Sequence, residues 1–111
     1  AKAIRVPIVN VSAIDLTVSL THAVTTHDIN ALLARAATAR PGLFGYSDHP
    51  GASIDFCHDP HSAILDASFT RTNGDRLANL LIWFDNEWAF ANRMLEVADH
   101  WCATAQTCSS Q

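Results

Sequence analysis

His58-Asp59-Pro60-His61 sets two imidazoles at H-x-x-H spacing, with Asp55 and Asp66 close by, and these are the residue types of a divalent-metal site. Pro60 denies the pair a helical face, and no third ligand stands at a characteristic spacing. A solvated turn that orders its neighbours is therefore expected, and no metal is assigned. Cys57-His58 juxtaposes a thiol with a base, but neighbours on a strand project to opposite faces and cannot readily form a thiolate–imidazolium pair. Cys57 is read as structural. No catalytic residue is assigned, because no pair of side chains makes an active site by itself.

Two other residues could touch a ligand. Arg5 lies among apolar neighbours on an expected strand, where a guanidinium needs a carboxylate, a carbonyl or an external anion. A structural ion pair and a bound phosphate both meet that need. Asn86 stands where a strand passes into a helix. It can cap that helix, or its fixed amide can grip a heterocycle, since strand ends leading into helices also border ligand clefts. Glu87 is then an ordinary first-turn acid favoured by the helix dipole.

The elements that must position these residues are legible in part. Residues 4 to 20 read as extended chain: Ile14, Leu16, Val18 and Leu20 alternate with polar neighbours, the pattern of a sheet with one buried face. Ile4, Val6 and Ile8 hold the same phase, Val9 and Val11 break it, and Pro7 places the first portion at an edge or just entering the sheet. Thr25, with Asp28 three residues on, starts a helix whose apolar stripe is Ile29, Leu32, Leu33 and Ala36, and Pro41-Gly42 stops it. Short strands separated by turns follow, Ser53 to Cys57 among them. Asn73-Gly74 predicts a hairpin with a type I′ turn. The returning strand, Leu80 to Phe84, is apolar on both faces and should be central. A second helix follows, with Ala91, Met94, Leu95, Ala98, Trp101 and Cys102 expected on its buried side. The predicted class is α+β: a mixed, mostly antiparallel sheet with two main helices packed on it. The domain is drawn over residues 1–104, with a polar tail at 105–111 that is expected to fray.

Composition bounds the rest. A chain of 111 residues, 49% hydrophobic and 16% charged, is one packed domain or a piece of one. A net charge of −4 with seven Lys plus Arg argues against nucleic-acid and anionic-membrane partners. No apolar run approaches the ~20 residues of a membrane span. Three cysteines with no C-x-x-C spacing fit a reducing cytoplasm. Asn10-Val11-Ser12 is formally a glycosylation acceptor but lies inside a strand-like stretch. Ala1, followed at once by an expected strand, is read as a cut from a longer polypeptide, although methionine processing gives the same start.

Arg5-Val6-Pro7-Ile8-Val9-Asn10-Val11-Ser12-Ala13-Ile14-Asp15-Leu16 resembles the R-V-P-T-x-N-V-S-x-x-D-L signature of the glyceraldehyde-3-phosphate dehydrogenase family. Trp83-Phe84-Asp85-Asn86-Glu87-Trp88-Ala89-Phe90-Ala91-Asn92-Arg93 is similar to that family's W-Y-D-N-E-W-G-Y-S-N-R run, and Phe44-Gly45-Tyr46 and Ser62 to Asp66 fall between them at the expected separation. Within the family, His58 to Asp66, Phe90 and Asn92-Arg93-Met94-Leu95 look closest to the erythrose-4-phosphate dehydrogenase branch.

The resemblance implies an oxidoreductase in which a cysteine thiolate attacks an aldose-phosphate aldehyde, hydride passes to NAD, and phosphate or water cleaves the thioester. By motif match it implies that Arg5 contacts the substrate phosphate or the attacking phosphate ion. Asn86 hydrogen-bonds the nicotinamide carboxamide, and Phe90 packs beside that ring. It also implies that the dinucleotide-binding domain, the nucleophile and its histidine lie upstream, so that this carboxy-terminal portion is inactive alone. Ile8 and Ala89 replace the usual Thr and Gly, which bears on close packing at the site. Further expectations are a homotetramer for the whole enzyme, a cytoplasmic setting and, as the alternative function, a non-catalytic assembly module that self-associates through a sheet face.

Overall fold

The computed structural model describes residues 3–108. Strand β1 spans Ser12–Ser19, helix α1 Thr26–Ala39, strand β2 Phe44–Ser47, strand β3 Ala63–Asn73, strand β4 Leu77–Phe84 and helix α2 Asn86–Cys108, with a short 3-10 helix at Ser53–Phe56. The sheet runs β1-β4-β3-β2. Its β1–β4 and β3–β4 pairs are antiparallel and its β2–β3 pair is parallel, so the class is α+β with a mixed, mostly antiparallel sheet and two helices. β4 is interior, as its unbroken apolar run requires.

Helix α1 begins as its sequence dictates. The Thr25 hydroxyl accepts from the Asp28 amide at 3.2 Å and the Asp28 carboxylate accepts from the Thr25 amide at 3.0 Å, a reciprocal capping box. The Thr25 hydroxyl, and then its amide, hold the Asp28 carboxyl below its ordinary pKa. The helix lies on β2 and β3, buries Ile29, and ties down through the Asn30 amide, which donates to the Ala67 carbonyl. Gly42, at φ +84°, turns the chain into β2.

The sheet's covered end lies on β3, where Ile64, Leu65, Asp66 and Ala67 are all buried in succession. Ile64 packs with Val11 and Phe56, and Cys57 and Trp83 close the cluster. Trp83 stacks on Phe56 at 5.2 Å between ring centroids and donates its indole N–H to buried Asp66.

Several expectations are corrected. Residues 4–11 form no strand: β1 starts at Ser12, and the phase slip at Val9 and Val11 marks a bend in which Val11 takes φ 74°. Ser53 to Cys57 is not extended, because the Asp55 carboxylate accepts from the Ala52 amide and closes a single 3-10 turn. The hairpin is present, but Asn73 pairs with Leu77, so three residues connect the strands and Gly74 alone takes positive φ. β1 alternates as read, but its apolar row is not buried: Ile14 and Leu16 stay exposed, because β1 is an edge strand and α1 packs mainly on β2 and β3.

The largest departure is α2. Its base is anchored by buried Ala89 and by Arg93, which donates to the Gly42 carbonyl at 2.9 Å. Met94, Leu95, Val97 and Trp101 are exposed, as is Cys102, so the expected stripe is left uncovered among the described residues. The helix projects from the sheet and gives a radius of gyration of 17.1 Å, against about 13 Å for a compact domain of this length. It continues through residues assigned to the tail as far as Cys108, and the last three residues of that tail lie outside the described residues.

Candidate functional site

The site is built where the segment before β1 meets the turn that joins β4 to α2. Residues 4–10 take no regular structure, and the Ile8 amide bonds back to the Val6 carbonyl in a tight turn. Val11 is buried in a left-handed conformation that disfavours a β-branched side chain by on the order of 1–3 kcal/mol. Packing against Phe56 and Ile64 offsets that strain and swings the preceding arm across the end of the sheet.

Asp85 holds the junction together. Its carboxylate is buried, and Oδ1 accepts from the Trp88 amide at 2.9 Å, capping α2. Oδ2 accepts from the Asn10 side-chain amide at 2.8 Å and from the His58 backbone amide at 2.9 Å. Burial by itself raises the Asp85 pKa. The bonds from Trp88, His58 and Asn10, with a smaller attraction to the His58 ring, outweigh it and hold the carboxyl below its ordinary value.

Asn86 is therefore not the cap; Asp85 takes that task one residue earlier. The Asn86 side-chain amide donates to the Ser12 hydroxyl at 2.9 Å, which leaves the carbonyl oxygen of this exposed residue unbonded among the described residues. Arg5 has no ion-pair partner among the described residues, so the structural ion pair is not realised there. Arg5 and Asn86 line one open cleft of about 660 Å³, together with Asn10, Ser12, Trp83 and Glu87. Phe90, exposed one turn after Asn86, lines a smaller depression of about 300 Å³ with Ser62, Arg93 and Asn86 itself. Asn86 thus stands on the rim of both hollows, with Arg5 to one side and Phe90 to the other.

The histidine cluster does not converge. The Asp59 carboxylate accepts from the His61 amide at 2.9 Å and meets its Nδ1 at 2.6 Å, whereas His58, at φ 61°, lays its ring against Trp88 at 4.8 Å. Among the described residues no three ligand-type side chains come together. Cys57 is not on a strand; it leaves the 3-10 turn and packs partly buried beside the Val11 cluster. Residue-type reasoning passed over Asp85 and Asn10. An aspartate directly before a helix is a capping signal, so Asp85 could have been found, but nothing local marks its pairing with Asn10.

A family model described as glyceraldehyde 3-phosphate dehydrogenase, C-terminal domain, matches residues 1–86. The match takes in Arg5, Asn10, Asp85 and Asn86 and stops short of Phe90. With more than half of its length matched, the chain belongs to the glyceraldehyde 3-phosphate dehydrogenase family, whose C-terminal domain it carries.

Proposed function

We propose that this chain forms the substrate-anion and nicotinamide-facing wall of an NAD-dependent aldose-phosphate dehydrogenase whose reacting cysteine lies on another segment. The observation that carries the reading is that Arg5 and Asn86 border one cleft. An unpaired guanidinium offers parallel N–H donors that match two phosphate oxygens. The free Asn86 carbonyl oxygen can accept from a carboxamide N–H, and Phe90 offers an apolar ring beside it. These groups fit a nicotinamide at this wall. NAD, when bound, supplies the hydride acceptor, while the residues here bind and orient.

The substrate is an aldehyde carrying a distal phosphate, of which glyceraldehyde 3-phosphate and erythrose 4-phosphate are both examples. The run from His58 to Asp66, together with Phe90, supports the erythrose-4-phosphate branch. Incubated alone with either aldehyde and NAD, the chain is expected to form no NADH; robust turnover would mean that the reacting group is here after all. A second reading, an assembly module, is favoured by the uncovered apolar row of β1 and the bare side of α2. Sedimentation distinguishes it: a strict monomer at high concentration argues against self-association.

A further inference from the structure

The two helices of this chain begin in different ways. The start of α1 is closed by an exposed, local box between Thr25 and Asp28. The start of α2 is closed by a carboxylate that is buried, and capping uses only one of its oxygens. The other oxygen is spent on segments far away in sequence, the Asn10 side chain and the His58 backbone. Among the described residues, the Asn10–Asp85 bond is the one side-chain hydrogen bond that ties residues 3–11 to the rest of the fold. Among the described residues no other hydrogen bond or ion pair joins the arm that carries Arg5 to the rest of the fold.

We propose that Asp85 is a positioning residue: its ionised carboxylate clasps the arm bearing Arg5 to the helix start bearing Asn86, and so fixes their separation across the cleft. The functional consequence rests on the roles proposed above for Arg5 and Asn86; the clasp itself does not. An ionised carboxylate suits the task because it only accepts, and three donors converge on it. An amide at this position turns its NH2 toward one set of those donors and offers the other only a neutral oxygen, so cap and tether are both impaired, one lost and the other weakened. Asn86 is set twice, by the cap at Asp85 and by its own bond to Ser12, the residue after Val11.

The test uses Asn10→Ala and Asp85→Asn in the 111-residue chain. Backbone ¹⁵N order parameters over residues 4–9 should fall from a rigid value of about 0.85 to below about 0.6 in both. Hydrogen exchange at Trp88 and Ala89 should quicken only in Asp85→Asn. If Asp85 merely caps α2, Asn10→Ala leaves the arm as ordered as before, and that result overturns the clasp even should Asp85→Asn fail to fold. Inorganic phosphate, titrated separately, should shift the Arg5 Nε–H resonance, with at least about fivefold weaker binding in Asn10→Ala. An Arg5 silent to phosphate beside a loosened arm removes the anion role alone and leaves the clasp standing.

Discussion

The Asn10 side-chain amide donates to Asp85 Oδ2 at 2.8 Å across a sequence separation of 75 residues. One bond thus joins the loop before the first strand to the first turn of the last helix, and the cleft that holds Arg5 and Asn86 opens directly beside it.

Removing the carboxylate should cost more than a cap. Asp85→Ala deletes the α2 cap and strands the Asn10 and His58 donors, which predicts a loss of about 3 kcal/mol in urea unfolding. A loss within ~0.5 kcal/mol would show that water replaces the carboxylate freely.

The same group predicts an acid limit. Its pKa is lower folded than unfolded, so its contribution is fully present above the unfolded value of about 3.9 and disappears as pH falls through the folded value. Asp28 acts in the same direction. Stability should therefore drop below about pH 4, and less steeply in Asp85→Asn, which has nothing to protonate there. An equal slope in both proteins would contradict the assignment.

Much of the frame was legible because local chemistry and tertiary structure agree. The Thr25–Asp28 box, the Pro41-Gly42 stop, the Asn73-Gly74 hairpin and the apolar β4 run each state their element without outside help. Arg5 and Asn86 stand out in the sequence as a cation among apolar neighbours and an amide at a strand-to-helix junction, and both line the cleft. The errors arose where position depends on distant partners. Among the described residues, the arm before Val11 alternates like a strand but pairs with no other strand, and the α2 stripe is amphipathic but stays exposed. Ser53 to Cys57 alternates too, yet one Asp55 hydrogen bond coils it.

Burial separates two large side chains that look alike in sequence. Leu65 is fully buried on β3, so Leu65→Ala should destabilise by about 2–5 kcal/mol. Trp101 is 73% exposed on α2, and Trp101→Ser should change monomer stability by no more than ~0.5 kcal/mol. Thermal or urea melts of the two variants check the pair; a large loss at Trp101 would mean that α2 packs on something.

Glycine 51 is constrained by contact rather than by backbone angle. A Cβ there would stand 2.6 Å from the Phe56 ring, which is itself buried against Trp83. Gly51→Ala should therefore displace that ring and cost about 1–3 kcal/mol, with near-ultraviolet dichroism reporting the disturbed Trp83 stack. A fully native aromatic signal would show that the loop yields instead.

The most direct test of the proposed wall is steady-state kinetics of the full-length dehydrogenase proposed above, with Arg5→Leu and Asn86→Ala compared in one assay. Loss of a charged, two-point phosphate contact predicts a KM for the phosphorylated aldehyde raised about tenfold or more in Arg5→Leu. Asn86→Ala should lower kcat while the fold persists. Unchanged KM in Arg5→Leu together with unchanged kcat in Asn86→Ala would contradict the account.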